Sequence, residues 1–443
     1  MKIFFSLILI FNILLTNICF ADSVNIDFFK KFNDEYLLKY ILETLENNHN
    51  LKEANYKVEQ YRYEIKTQFS KELPELSVGS AYLGAHFPTT DASDFFFVRP
   101  NAYILPFRVN YEPDFLLKSR DKTKSKEKLF KAQLANQKST YISLLSDVAS
   151  VYFNILLTDY LIKTQIEILK NKTKNLDLTN KKYKNGVIDL VELNEYRKKI
   201  QNEQMYYDSL IKNQKTMLYN LSSLIGKSPN CTDEIKRGKI EEIEYVENIP
   251  EIINSDLIYN RPDLIEIENK LKSAKIDITV AKKDFFPSFN INGLYSMDTA
   301  TGGNFFSWDS AFALLIAGLT QDIFKGGYKI ANLKIKKARY GELFEQYKQA
   351  DLNAIKEINN ALNIIKQDSK NEKSTLYKLN LQDENYNFSK KKFSQGTISK
   401  FEYLDEKALL DNSKQLWASS KATRLMDYVT LYKALGGELW KNG

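Results

Sequence analysis

Histidine and cysteine are nearly missing from this 443-residue chain, which holds only His49, His86, Cys19 and Cys231. So few soft or imidazole ligands cannot furnish a zinc, haem or iron–sulfur centre, and no metal or cofactor is expected. Arginine is scarce too: nine of the 63 basic residues, against 56 acidic ones. Lysine-rich, evenly mixed charge belongs to solvated helix faces, whereas nucleic-acid surfaces cluster arginine with aromatics, so no nucleic-acid partner is expected. Long apolar runs are lacking beyond the N-terminus; the best is Ala311 to Leu319, well short of the ~20 residues a membrane helix needs. Catalytic motifs fail as well. Gly226-Lys227-Ser228 is like the end of a phosphate-binding loop, but Leu221 stands where its first glycine belongs. Neither histidine has an HExxH or hydrolase context, and Cys231 has no CxxC partner. The chain does not read as an enzyme.

The N-terminus reads as an export signal. Lys2 precedes an apolar stretch from Ile3 to Leu15, and small residues at Cys19 and Ala21 predict cleavage between Ala21 and Asp22. Cys19 is not expected to be acylated, because Thr16 and Ile18 stand where a lipobox has leucine and a small residue. Removal of residues 1–21 would leave Cys231 alone, without a disulfide. An exported chain without a spanning helix must be periplasmic, secreted, or set in an outer membrane as strands.

Breakers divide what remains. No proline occurs from Asp114 to Ser228 or after Pro287, and Gly186 is the one glycine between Asp114 and Ile225. Proline and glycine are the main helix breakers, so the spacing predicts a helix of about 70 residues, a stop at Gly186, and a second of about 39. Leu145, Val148, Tyr152, Ile155, Ile162, Ile166 and Leu169 follow a 3-4 spacing interrupted at Asp159, a coiled-coil seam. The second half repeats the plan, from Ile323 to a stop at Gly396 and on to Leu435. Two other stretches alternate with period two: Phe289, Ile291, Gly293 and Tyr295, and Tyr103, Leu105, Phe107, Val109 and Tyr111. Those are strands. Phe95-Phe96-Phe97, Phe305-Phe306 and Trp308 in the loops between them suit the aromatic girdle of a membrane barrel, the plainer alternative being aromatics that pack a soluble core.

The halves align. Lys182-Tyr183-Lys184-Asn185-Gly186 matches Lys392-Phe393-Ser394-Gln395-Gly396 at an offset of 210, which also pairs Glu192 with Glu402 and Gly226 with Gly436. Leu73-Pro74 likewise matches Phe286-Pro287 ahead of the strands. Each half reads helix, strand, loop, strand, long helix, glycine turn, helix. Two shorter helices laid end to end would nearly match the long one, about 108 Å at 1.5 Å per residue. Four strands cannot close a barrel, and open edges are not tolerated in lipid. An oligomer must close it: two copies give eight strands, three give 12.

The chain resembles the TolC family of outer-membrane efflux and secretion proteins over essentially all of its mature length. The resemblance rests on Leu45-Glu46-Asn47-Asn48-His49-Asn50-Leu51, Asn260-Arg261-Pro262-Asp263-Leu264, the two proline strand starts, and the duplicated turns at Gly186 and Gly396. Asp114-Phe115-Leu116 and Asp322-Ile323-Phe324-Lys325-Gly326-Gly327 also resemble that family's passage from strand to long helix, although Lys118 stands where a glycine is usual and His49 replaces a common proline. The resemblance implies a mainly α fold with β: internally duplicated coiled-coil helices forming an α-barrel tunnel, and four strands per chain completing a trimeric 12-stranded outer-membrane β-barrel. Repeat 1 would span about 40–226, an equatorial linker 227–259, and repeat 2 260–436. It further implies a homotrimer in outer-membrane lipid, with the tunnel projecting into the periplasm. The partners would be a periplasmic adaptor and an inner-membrane transporter, and the chain a passive duct of an efflux pump or type I secretion system. Gly186 and Gly396 would be tip turns touched by the adaptor, and Glu402 with Asp405 a lumen-facing acidic gate, with Glu192 and Glu195 as repeat counterparts. The plainer alternative for the four acids is ordinary solvated charge. For the whole chain it is a soluble periplasmic or extracellular coiled-coil protein, which would not explain the duplicated strands.

Overall fold

The computed structural model describes residues 25–84, 101–245, 255–299 and 306–438. The leader with its cleavage point at Ala21 and Asp22, together with His86, Phe95-Phe96-Phe97 and Phe305, lies outside them.

In chain order the helices and strands are α1 (Asp27–Lys30), α2 (Glu35–Asn47), α3 (His49–Phe69), β1 (Glu75–Val78), β2 (Ala81–Gly84), β3 (Asn101–Tyr111), α4 (Lys118–Lys184) and α5 (Leu190–Leu224). Then follow α6 (Ser255–Tyr259), α7 (Pro262–Lys283), β4 (Ser288–Thr299), β5 (Ala311–Thr320), α8 (Tyr328–Ser394) and α9 (Lys400–Ala434). The long helices α4 and α8 are each 67 residues and their partners α5 and α9 each 35, every boundary separated by the same 210 positions that align the sequence. Helix α4 starts four residues later than its missing breakers predict. Asp114 Oδ1 and Oδ2 accept the N–H groups of Lys118 and Arg120 (2.6 and 2.8 Å), and Leu117 adopts a left-handed φ of 54°. In the second half Gly327, with φ 80°, occupies the equivalent position.

The chain forms two compact units. One comprises Tyr56–Ala135 and Ile265–Gln349 and holds the sheet, whose order is β1-β3-β4-β5 and fully antiparallel. β2 continues β1 in the same register, Val78 facing Phe107 and Ala81 facing Ile104. The ladder lapses at Gly79-Ser80 because Pro106 opposite has no N–H to give; Gly79 still donates to the Pro106 carbonyl at 3.0 Å. Cross-strand rows such as Val78–Phe107–Tyr295–Ala313 make one face apolar, and the two alternating sets read from the sequence share it. The other face carries Glu75, Asn110 and Asn292 in one row and Ser77 and Arg108 in the next. Along β5 that face too is apolar, with Phe312, Leu314 and Ile316 exposed. Among the described residues neither β1 nor β5 has a partner on its outer edge. Alongside the sheet, Lys126 pairs α4 with Glu64 of α3, and Ser125 bonds Ser273 and Asp277 of α7.

The other unit comprises Met1–Asn55, Asn136–Leu264 and Ala350–Gly443. Its core takes Leu145, Val148, Tyr152 and Ile155 from the seam, as the spacing predicts. Phe28 of α1 stacks on Tyr432 (4.4 Å, 9°), and Phe32 meets Phe153 edge-on. An 18-residue window of α4 is apolar enough to cross a membrane, but 61% of it is buried, so its hydrophobicity serves the core. Beyond Asp159 the seam departs from the expected spacing. Ile166 is exposed, and the buried positions are Thr164, Gln165, Ile168, Asn171, Asn175 and Thr179. Asp159 itself is held by Arg237 and by Gln214 (2.5 Å). Gln165 donates to Glu203 of α5 at 2.7 Å and accepts from Gln415 of α9 at 3.1 Å. Polar groups replace apolar ones there: Thr164 and Gln165 find partners, whereas Asn171 Nδ2 and Asn175 Oδ1 are buried without one among the described residues.

Arg261 in this unit is buried. Its Nη1 donates to the carbonyl of Ala434, the last residue of α9, and its Nη2 to Asp263 and Glu357, all at 2.7 Å. On α9, Asp427 lies buried beside Asp368 of α8, one of its oxygens having no donor among the described residues.

Candidate functional site

Both long helices end in the same device. The N–H of Gly186 donates to Tyr183 O (2.9 Å) and that of Val187 to Lys182 O (2.9 Å); Gly396 and Thr397 repeat the pair on Phe393 and Lys392 (3.0 Å each). This Schellman closure requires a left-handed residue after the helix, and both glycines have φ 72°. A Cβ at either position would meet nothing within 4 Å, so backbone conformation alone asks for glycine here. Three residues later a new helix is capped. Asp189 accepts the N–H of Glu192 at 2.8 Å, and Ser399 accepts that of Glu402 at 3.2 Å. Glu402 reaches back to the Ser399 N–H at 2.8 Å and completes a capping box.

The structure brings the two turns into contact. Asn175 of α4 donates to the Phe401 carbonyl at 3.1 Å, the Lys182 ammonium sits 5.0 Å from the Phe401 ring centre, and Tyr196 packs on the same ring at 5.7 Å. Burial pushes the Tyr196 hydroxyl up to about 12. Sequence reasoning missed this joint; its one signal was Phe401 standing where the first repeat has Val191.

The four acids are all exposed, and 402/405 and 192/195 each share a helix face at a spacing of three. They differ in engagement. The Ser399 N–H and hydroxyl, aided by Lys182 and Lys392, hold the Glu402 carboxylate below its ordinary range. Lys198, 2.8 Å away, does the same for Glu195. Around the first turn Val187, Leu190 and Val191 are exposed (68%, 50% and 67%), an apolar patch between Lys184 and Glu192.

The model of a family described as outer membrane efflux protein matches residues 40–227 and 254–437. Among characterised relatives, the chain is 24% identical to the probable outer membrane lipoprotein SilC of Salmonella typhimurium, over 92% of this chain and 87% of that one. It is also 24% identical to the cation efflux system protein CusC of Escherichia coli O157:H7, with the same coverage. Its fold is similar to the Campylobacter jejuni CmeC outer membrane channel, with a TM-score of 0.83 at 21% identity, covering 94% of this chain and 89% of that one.

Proposed function

Because the chain belongs to the outer membrane efflux protein family, and is thus an outer-membrane exit duct, we propose that it works as a homotrimer. Each copy would contribute four strands to a 12-stranded barrel and its helices to a periplasmic tunnel. The observation that carries this is the sheet: four antiparallel strand positions, β1 continued by β2, then β3, β4 and β5, with one apolar face and both edges open among the described residues. Lipid offers no partner for open edges, so β5 of one copy must meet β1 of the next. A soluble coiled-coil protein would leave that apolar face in water. No reaction is assigned to the chain.

The repeat scheme fits the same picture: a leader of residues 1–21, repeat 1 over about 40–226, a linker over 227–259 and repeat 2 over 260–436. An inner-membrane transporter of an efflux pump or type I secretion system would supply small molecules or proteins. Its periplasmic adaptor would dock at the turns of Gly186 and Gly396, where the exposed Val187, Leu190 and Val191 support a protein contact. Glu402 and Asp405, with Glu192 and Glu195, would give three-fold rings of carboxylate that favour cations in the lumen.

Planar-bilayer recording of the purified mature protein tests both levels. Cation-selective channels are expected, with selectivity reduced in a Glu402→Gln/Asp405→Asn variant. Channels indifferent to that variant retain the duct and discard the gate; a folded oligomer that never conducts refutes the duct.

A further inference from the structure

At the helix-side end of the sheet lies a cavity of about 660 Å³ enclosed by the 112–118 segment, the end of α7, the first residues of β4 and the passage from β5 into α8. Two cross-strand pairs line it at the end of the sheet, Ser288 with Thr320 and Phe289 with Leu319. Phe289 and Leu319 belong to the apolar face of the sheet, and the Phe115 ring meets Phe289 edge-on at 5.6 Å. The cavity therefore adjoins the apolar face of the sheet at the point where the strands give way to helices. Just beyond its rim Ile323 and Phe324 are almost fully exposed, at 98% and 88%.

The walls carry four lysines and four carboxylates, and the two signs are not evenly mixed. On one side Lys325 and Lys329 share a single carboxylate, Asp322, at 2.8 and 3.3 Å, leaving an excess of one positive charge. On the other side Glu112 and Asp114 follow β3; Asp114 is occupied by backbone N–H groups and Glu112 is exposed. Lys118 and Asp284 between them neutralise each other at 2.6 Å, and Lys283 is engaged by Asp121 of α4 at 2.7 Å. A purely anionic ligand would meet Glu112 and Asp114 unfavourably. A ligand with a phosphate, a primary ammonium and apolar chains meets each wall with its opposite.

We propose that this cavity is a binding site for the headgroup of a zwitterionic aminophospholipid, its phosphate on Lys325 and Lys329, its ammonium toward Glu112, and its acyl chains along Leu319 and the apolar face. The proposal rests on the membrane reading of the sheet. The full-length oligomer is equilibrated with equal amounts of phosphatidylethanolamine, phosphatidylcholine and phosphatidylglycerol of identical acyl chains, and retained lipid is counted by native mass spectrometry. Phosphatidylethanolamine is expected in at least threefold excess over either competitor. Lys325→Ala/Lys329→Ala should abolish the excess, Glu112→Gln should remove the preference over phosphatidylcholine, and Lys348→Ala, on a remote turn of α8, should change nothing. Equal retention of the three lipids, preference for phosphatidylglycerol, or a preference that survives both variants overturns it. Protein that conducts in bilayers yet shows any of those results sinks this site alone; protein that neither conducts nor retains lipid sinks the membrane reading beneath it.

Discussion

Leu117 occupies, at φ 54°, the backbone position that Gly327 fills at φ 80° in the second half. Both residues turn the chain out of a strand and into a 67-residue helix, but only glycine enters the left-handed region without a Cβ penalty. Leu117→Gly is therefore expected to stabilise the protein by up to about 1 kcal/mol, and Gly327→Leu to destabilise it by about 1–2 kcal/mol. Thermal unfolding of the two variants checks the opposite signs.

Arg261 holds three elements through one planar group: the end of α9, the start of α7 and Glu357 of α8. Lysine keeps the charge but cannot spread donors in a fork. Arg261→Lys should cost about 2 kcal/mol in chemical unfolding, mostly through the buried Ala434 carbonyl, since Asp263 and Glu357 are half exposed and solvate readily.

Burial, with Asp368 adjacent, raises the Asp427 carboxyl from its ordinary value to about 7. The folded protein thus holds a proton that the unfolded chain releases near pH 4. The associated stability is complete below that pH and is lost as pH rises through about 7. Asp427→Asn, which keeps a donor toward Asp368 at every pH, should be more stable than wild type by about 1–2 kcal/mol at pH 8 and equal to it near pH 4.5. A difference that does not vary with pH would show that the carboxyl is not protonated in the fold.

Glycines with the same positive φ should differ in cost. At Gly186 and Gly396 an alanine meets open space, so each substitution should cost about 1 kcal/mol. At Gly226 the new Cβ would lie 2.7 Å from the Asn47 carbonyl oxygen, and Gly226→Ala should cost about 3 kcal/mol. Equal unfolding midpoints for the three would remove the packing component.

Cap and proposed gate separate by chemistry. Ser399→Ala removes the acceptor for the Glu402 N–H and should lower stability by about 1 kcal/mol while ion selectivity stays. Glu402→Gln/Asp405→Asn keeps an acceptor for the Ser399 N–H and should change selectivity with little loss of stability. Paired calorimetry and bilayer recordings distinguish the two.

What the sequence disclosed follows from which signals are local. Helix stops at Gly186 and Gly396 were legible because a left-handed turn selects glycine by itself. Strand alternation was legible because period two survives without knowledge of the partner strand. The late start of α4 was not, since Leu117 violates the rule that its counterpart Gly327 obeys. Nor was the seam past Asp159, where Gln165 and Asn175 are buried by virtue of partners on α5 and α9 far along the chain. At the turns, the spacing of three placed each pair of acids on one helix face. The contact of Asn175 and Lys182 with Phe401 depends on the two repeats being side by side, which no local pattern encodes.

Strand β5 has apolar side chains on both faces and no neighbour on its outer edge among the described residues. On the proposed oligomeric reading, a copy that has folded its helices but met no sister chain carries a sticky, unsatisfied ribbon through water on its way to the membrane. Its fate is a race between productive closure and mispairing. If the duct closes from several copies, as proposed, its yield is limited by their encounter, so that overproduction should raise misassembled material faster than it raises working ducts.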